Sequence, residues 1–204
     1  MLGQITTMGK SRRAKPRSRR PHFESLTLEE VQELLRSTDR IEIRALFELA
    51  LTTGIRRADI VDIEIERVNL KKRHIDFWEQ KKERMHRVFL EPDVVTTLRM
   101  YIRTLPKEQK LLFKFRQRTA YNYLQKYLER AHIQKRLRFH DLRTTFIRLS
   151  RKLGRSIKYV MQQTGDTAQV ILEHYEHMTD EEMHQVTNKG ILKASKAQEE
   201  CETT

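Results

Sequence analysis

The chain has 204 residues, with 41 Lys and Arg against 28 Asp and Glu and a formal net charge of +13. The single cysteine, Cys201, excludes an intrachain disulfide and a cysteine-ligated zinc cluster, and the length is enough for one well-packed domain with an arm. The charge favours a polyanionic partner, since counterion release from nucleic acid drives binding by basic proteins; a ribosomal or merely soluble basic protein is the alternative.

Residues 1–22 form a basic segment that we expect to be disordered. They show no apolar periodicity, and the run KSRRAKPRSRR at positions 10–20 is broken by Pro16. Blocks of this kind often bind the nucleic acid backbone, although a solvated tail has the same composition. The candidate DNA-binding residues of this arm are Arg12, Arg13, Lys15, Arg17, Arg19 and Arg20.

Hydrophobic periodicity predicts a mainly α-helical domain with a small antiparallel β-hairpin, an α+β fold, over residues 23–188. Thr27 and Glu30 form a capping box at its start, and Gly54 ends the second helix. Strand-like segments on both sides of a charged turn at positions 81–84 indicate the hairpin. The predicted elements are, in chain order, helices over residues 28–36, 40–52 and 57–62, strands over 74–80 and 85–90, and helices over 92–103, 119–131, 139–153, 156–163, 167–178 and 180–186.

The helix over residues 139–153 has the clearest pattern of the second half. Its apolar stripe ends at Gly154, a plausible C-cap, and consists of Leu142, Phe146, Leu149 and Leu153. Residues 189–204 form a polar C-terminal tail.

Arginine, histidine and tyrosine side chains stand at positions that suit phosphodiester chemistry. Arg56 follows a helix-ending glycine, and His140 and Arg143 are three residues apart on one helix, so they share a face. Arginine forks bind phosphate oxygens bidentately, and a tyrosine such as Tyr175 can act as a covalent nucleophile. Taken alone, Arg56 also fits a surface ion pair, and His140 with Arg143 fits a helix-surface pair.

The segment TGIRRAD at positions 53–59 resembles the first box of the tyrosine recombinases, a family that includes phage and archaeal-virus integrases and the Xer recombinases. In that box the arginine after Gly-x binds the scissile phosphate, and Arg56 takes its place. Asp59 matches the acidic residue that supports the box. The resemblance covers about residues 23–180 and rests on the order and spacing of several short motifs.

The segment HDLRTTF at positions 140–146 resembles the second box, with His140 and Arg143 in the histidine and second-arginine places. Gly165 precedes Tyr175 by ten residues, which matches the family's spacing from its glycine to its nucleophile. The resemblance implies that Tyr175 attacks a backbone phosphorus, expels the 5′-oxygen and leaves a 3′-phosphotyrosine. Arg56 and Arg143 would then stabilise the charge on the non-bridging oxygens.

The hairpin between the boxes is where the family carries a catalytic lysine. The segment Val88-Phe89-Leu90 resembles the strand end after that turn, and counting back from it puts Lys81 in the catalytic place. Lys82 is one residue away, so it stays open both as the catalytic lysine and as a DNA contact.

Asp166 is a departure from the family, which usually has histidine or tryptophan directly after the glycine. That histidine donates toward the phosphate, whereas an ionised aspartate can only accept. Asp166 either faces the phosphate as an anion and slows the reaction, or points away from it. We favour the outward orientation, because a turn after Gly165 can rotate a short side chain outward.

A second departure concerns the N-terminal helical domain with which a full recombinase clamps DNA. Residues 1–22 are too short for it, so we expect a catalytic fragment or a minimal form that relies on its basic arm.

The sequence therefore predicts a site-specific DNA recombinase or integrase that needs no cofactor and no metal. The expected partner is double-stranded DNA. The resemblance also implies further copies of the chain, as a tetramer on DNA that is weaker or monomeric in solution, with the tail at residues 189–204 contacting a neighbouring subunit. A type IB topoisomerase and a catalytically weak DNA-binding protein are the alternatives. His174, His177 and His184 lack a tight metal-ligand spacing. Without a membrane-length apolar run or a signal peptide, a cytoplasmic, nucleoid-associated location is expected.

Overall fold

The structure, a computed structural model, describes residues 24–173. The basic arm, Tyr175 with the neighbouring histidines, the predicted helix over residues 180–186 and the polar tail lie outside the described residues. Over residues 24–173 the chain forms eight α-helices and three strands: α1 Leu28–Arg36, α2 Ile41–Thr53, α3 Arg57–Val61, β1 Val68–Asn69, β2 His74–Glu79, β3 Arg84–Phe89, α4 Pro92–Arg103, α5 Gln117–Arg130, α6 Asp141–Lys152, α7 Ile157–Thr164 and α8 Ala168–Glu173.

Helix α2 is the centre of the fold. Nine of its 13 residues are buried, because α4 and α6 pack against it and α1 and α3 cover further parts of its surface. The main hydrophobic core surrounds this helix. A smaller cluster, formed by Phe146, Ile147, Val160 and Ile171, joins α6, α7 and α8 at one end of it. The predicted mainly helical fold with a small antiparallel sheet is confirmed.

The capping box at the start of α1 is confirmed in both directions. Thr27 Oγ1 accepts from the Glu30 amide at 3.2 Å, and the Glu30 carboxylate accepts from the Thr27 amide at 2.7 Å. The predicted helix over residues 28–36 therefore has the correct bounds, and the other described helices begin within two residues of the prediction. Local rules succeed here because the caps are formed by side chains next to the helix in sequence.

The β-hairpin is confirmed, but its four-residue turn, at positions 80–83, begins and ends one residue earlier than predicted. A single 3₁₀ turn, Gln80–Lys82, and Glu83 with a φ of +48° connect the strands. Arg84 therefore belongs to β3, where it pairs directly with Glu79 of β2. The sheet order is β1-β2-β3, and β1 was missed because two residues are too few to show a strand period.

Leu153 was wrongly assigned to the apolar stripe of α6. Helix α6 ends at Lys152, and the chain turns away at Gly154 with a φ of +72°, which leaves Leu153 57% exposed. Leu142 and Phe146 of the same stripe are buried, as predicted, and Leu149 is half-buried.

The end of α2 is in contact with α6. Gly54 adopts a φ of +68°, and a Cβ atom at this position would lie 2.8 Å from Cδ1 of Phe146. The left-handed conformation and the close approach of the ring both require glycine. This contact fixes where the chain leaves α2, and so determines the position of Arg56 two residues later.

Replacing Gly54 by alanine should lower the free energy of unfolding by about 3 kcal/mol, from left-handed strain and forced displacement of Phe146. The matched control is Gly154→Ala, since Gly154 also has a φ of +72° but a Cβ atom there would meet no other atom within 4 Å. In that variant only the left-handed strain should lower the free energy of unfolding, by about 1 kcal/mol. Urea unfolding of both variants measures the difference, and equal losses would contradict the contact.

Candidate active site

Arg56 is held between two carboxylates. It is the N-cap residue of α3, directly after the turn that ends α2, and its side chain is 17% exposed. Its Nη1 donates to Oε1 of Glu79, and its Nη2 donates to Oδ1 of Asp166 at 2.6 Å. One arm of the guanidinium is thus anchored on β2, while the other points toward the turn after α7.

Arg143 lies in the first turn of α6 and is 3% exposed. Its guanidinium donates to the carbonyl oxygens of Gly54 and Thr164, the latter at 2.8 Å, and to Oδ2 of Asp166. A buried cation requires partners of this kind. Arg143 therefore ties together the ends of α2 and α7, which the sequence separates widely.

Asp166 faces the two arginines, which contradicts the outward orientation expected from the sequence. One carboxylate oxygen accepts from Arg56 and the other from Arg143. The Asp166 amide also donates to Thr164 Oγ1 at 3.2 Å, which directs the side chain inward. Burial alone would raise the pKa of Asp166, but the charges of Arg143 and Arg56 and the hydrogen bond from Arg143 lower it below its ordinary value.

Glu79 is a member of this cluster that the motif comparison missed. It is 1% exposed and accepts from Arg56 and from Nε of Arg84, the latter at 3.0 Å. Burial opposes its ionisation, yet the hydrogen bonds from Arg56 and Arg84 lower its pKa. The two-residue period of the strand could have indicated that Glu79 is buried, because Glu79 follows Ile75 and Phe77 on the same face of β2.

The two lysines of the hairpin turn are placed differently. Lys82 donates from Nζ to the carbonyl oxygen of Gly165, and its Nζ lies 3.8 Å from Oε1 of Glu79. Lys81 is exposed and makes no ion pair or hydrogen bond with any residue in the described part of the chain. Lys82 therefore reaches the arginine cluster, whereas Lys81 does not.

His140 and Asp59 flank the cluster. The His140 side chain reaches solvent beside a cleft of about 400 Å³ that Arg57 and Tyr121 also line. The surrounding protein and the charge of Arg143 lower the pKa of His140, so its ring is neutral at neutral pH. Asp59 is buried and accepts from the backbone amide of Gln80 at 3.1 Å, which ties α3 to the hairpin turn.

Four of the site residues predicted from the sequence, Arg56, Arg143, Asp166 and Lys82, meet in one cluster. Arg56, Arg143 and Asp166 are in direct contact, and Lys82 joins them through Glu79 and Gly165. Tyr175 and the basic arm lie outside residues 24–173. Tyr159 of α7, a tyrosine within the described residues, has its hydroxyl against Arg155 and Gln163, at 3.3 and 3.2 Å.

Two features of other protein classes are absent from the described residues. None of their helices is both long and apolar enough to cross a membrane. Between residues 24 and 173, no three His, Cys, Asp or Glu side chains are grouped as metal ligands would be.

Comparison with known proteins gives consistent matches. Residues 24–182 match the phage integrase family. Over 180 residues the chain is 25% identical to tyrosine recombinase XerA of Saccharolobus solfataricus, a match that covers 88% of this chain and 61% of that protein. The crystal structure of XerA recombinase superimposes with a TM-score of 0.71 at 20% identity, over 82% of this chain and 65% of that one.

Two further solved structures share the fold. XerH site-specific recombinase bound to palindromic difH substrate gives a TM-score of 0.66 at 18% identity, over 81% of this chain and 52% of that one. A lambda integrase dimer bound to a COC′ core site gives a TM-score of 0.62 at 17% identity, over 76% of this chain and 49% of that one. This chain therefore spans less than two thirds of the length of these relatives.

The carboxylate bridge predicts a specific dependence of stability on pH. Because the pKa values of Asp166 and Glu79 are lowered in the folded chain, their contribution is complete above the ordinary carboxyl range and is lost as the pH falls below about 4. Asp166→Asn should lower the free energy of unfolding by roughly 3 kcal/mol at pH 7, since Arg143 stays buried with less compensation.

The loss in Asp166→Asn should shrink as the pH falls below about 4, because protonation of this carboxylate in the unfolded chain then destabilises the wild type and has no counterpart in the variant. Urea unfolding between pH 3 and pH 7 measures both curves. Glu33→Gln is the control, since Glu33 pairs with Arg36 on the exposed face of α1 and should change stability little at any pH. A constant difference between wild type and Asp166→Asn across this range would contradict the ionised bridge.

Proposed function

Since this chain belongs to the phage integrase family, we propose that it is a site-specific DNA recombinase that cleaves and rejoins DNA through a 3′-phosphotyrosine intermediate. The observation that carries this proposal is the convergence of Arg56 and Arg143 on the two oxygens of one carboxylate. Two guanidinium groups that hold an oxyanion between them are arranged as a scissile phosphate requires. In the proposed reaction the phosphate takes the place of Asp166.

In the cleavage step, Oη of Tyr175 forms a bond to phosphorus and the bond from phosphorus to the 5′-oxygen breaks. The tyrosine proton passes to a base, and the departing oxygen receives a proton from an acid. His140 suits the base, because its lowered pKa leaves a neutral ring that can accept a proton. The phosphotyrosine bond conserves the energy of the cleaved bond, so rejoining to another 5′-hydroxyl needs no ATP.

Lys82 suits the acid better than Lys81. The support is its position, since its ammonium group contacts Gly165 and Glu79 beside both arginines, while Lys81 is exposed and contacts none of them within the described residues. An ammonium group on a flexible stem can follow the leaving oxygen and supply the proton. Asp59 supports this arrangement indirectly, by holding the amide of Gln80 at the start of the turn.

The proposed partner is double-stranded DNA, bound by several copies of the chain. Support comes from the net charge of +13 and from two matched structures, XerH and lambda integrase, which are DNA complexes. The basic arm at residues 1–22 and Lys82 would add backbone contacts, and the tail at 189–204 would contact a neighbouring subunit. Such a protein acts where DNA is, in the cytoplasm with the nucleoid.

Recombination is favoured over topoisomerase activity, because the matched relatives are recombinases and integrases. A catalytically idle DNA-binding protein is disfavoured by the buried arginine pair. Binding alone does not require two cations to be held together in the protein interior, whereas stabilising a transition state does.

Tyr175→Phe should bind DNA with wild-type affinity and form no covalent adduct on nicked suicide DNA, because the hydroxyl that attacks phosphorus is missing. Denaturing gels of the DNA-linked protein measure the adduct, and Tyr159→Phe is the matched control that should still form it. An adduct with Tyr175→Phe would place the nucleophile elsewhere. If the wild type forms adducts regardless of DNA sequence, the result would favour a topoisomerase. If it forms no adduct with any DNA, the result would favour a DNA-binding module without catalytic activity.

Lys82→Ala should reduce single-turnover cleavage by about 10²–10⁴-fold, the range typical of a lost general acid. Lys81→Ala should lose under roughly tenfold, as for a peripheral phosphate contact. Replacing the leaving 5′-oxygen by sulfur gives a bridging phosphorothiolate, whose thiolate leaves without a proton. On this substrate the cleavage rate of Lys82→Ala should return to near the wild-type rate. The opposite ranking of the two variants would assign the acid to Lys81.

A further inference from the structure

We propose that Glu79 is a positioning residue that holds Arg56 and Lys82 in one fixed arrangement for cleavage. This inference rests on the proposed function, and it concerns a residue that the family resemblance does not include. Glu79 would touch neither the phosphate nor the leaving group. It would act through the two cations that do.

The geometry around Glu79 carries the inference. Its Oε1 accepts from Nη1 of Arg56 and lies 3.8 Å from Nζ of Lys82, while its Oε2 accepts from Arg84 at 3.0 Å. The same oxygen of Glu79 therefore faces both proposed catalytic cations. Because Nη1 of Arg56 is anchored in this way, its Nη2 is directed at the position that Asp166 occupies.

Gly165 adds a third constraint to this cluster. It has a φ of +72°, and a Cβ atom there would lie 3.2 Å from Oε2 of Glu79 and 3.1 Å from Nη2 of Arg84. The turn that carries Asp166 thus packs directly on the Glu79 carboxylate. The carbonyl of the same glycine accepts from Lys82. Glu79 consequently sets the relative positions of the hairpin turn and the turn after α7.

A purely structural role explains this carboxylate poorly. Ile75 and Phe77 precede it on the buried face of β2, so an apolar residue would continue the pattern. Replacing a whole buried ion pair by apolar residues is often neutral or stabilising, so folding alone does not call for a charged pair at this position. Its cationic partners include Arg56, which is proposed to bind the phosphate, and Lys82, which is proposed to protonate the leaving oxygen. This is the arrangement expected of a positioning group.

The test compares Glu79→Gln with Asp76→Asn. Glutamine keeps the shape of Glu79 but loses its charge, and its amide group opposes the arginine donors. Asp76 is the matched control, since it forms a carboxylate–arginine pair with Arg87 at 2.7 and 2.9 Å in the same two strands. Both variants are assayed in single turnovers on oxygen-containing suicide DNA and on its 5′-bridging phosphorothiolate form, with affinity and thermal unfolding measured alongside.

Glu79→Gln should cut cleavage of the oxygen substrate by about 10²-fold while leaving affinity within about threefold, since it disturbs Arg56 and Lys82 without removing them. On the phosphorothiolate the loss should fall to about tenfold, because the leaving thiolate needs no acid and only the misdirected Arg56 remains. Asp76→Asn should stay within about threefold of wild type on both substrates, as expected for an exposed pair.

Wild-type cleavage by Glu79→Gln, or an equal loss on both substrates, would overturn the proposal. If Glu79→Gln does not fold, Glu79→Asp takes its place: it keeps the charge but withdraws the carboxylate by one methylene. Its loss on oxygen DNA should reach about tenfold and shrink on the phosphorothiolate, because catalytic geometry tolerates only about 0.5 Å. Wild-type cleavage by Glu79→Asp would likewise overturn the proposal.

The two proposals fail in different ways. If the wild-type chain forms no covalent adduct on either substrate, the recombinase function fails and the role of Glu79 fails with it. If the wild type cleaves both substrates and Glu79→Gln cleaves them equally well, the recombinase function stands and only the role of Glu79 is refuted.

Discussion

The buried guanidinium of Arg143 is the contact on which the site depends. It is 3% exposed and reaches the carbonyl of Gly54, the carbonyl of Thr164 and the carboxylate of Asp166. Desolvation makes such a cation costly, so each of the three acceptors must stay in place. The end of α2, the end of α7 and the turn that follows are therefore fixed relative to α6. The same contact also fixes the position of Arg56, because Arg56 lies two residues after Gly54, whose carbonyl oxygen Arg143 binds.

Carboxylates determine how the cations of the site are arranged. Glu79 and Asp166 are both partly or fully buried, and both have pKa values lowered by the arginines around them. Each carboxylate engages a different arm of Arg56, so the plane of that guanidinium is defined from two sides. Arg84 and Lys82 close the cluster from the hairpin. Mutual repulsion among Arg56, Arg143, Arg84 and Lys82 is thereby offset within the protein rather than by solvent.

Sequence patterns predicted the elements whose signals are local. The capping box of α1, the glycine that ends α2 and the two strands of the hairpin follow from neighbouring residues, and the motifs located both arginines. The orientation of Asp166 could not be predicted, because the Thr164 hydroxyl and two distant arginines decide it together. Glu79 was overlooked for another reason: the strand period placed it inward, but no motif marked it as chemical. The choice between Lys81 and Lys82 depends on the position of the turn to within one residue, which spacing alone does not resolve.

The inward orientation of Asp166 also bears on which anions can enter the site. Its carboxylate is tethered beside the arginines, so its effective concentration there far exceeds that of a free solute, on the order of millimolar or more for short tethers. Inorganic phosphate or a nucleotide must compete with this internal ligand from bulk solution. A phosphate within a long polyanion that other contacts already hold on the protein also has a high effective concentration at the site, so it can compete with Asp166. In the absence of a polyanion, the Asp166 carboxylate thus occupies the site and disfavours the binding of small anionic metabolites.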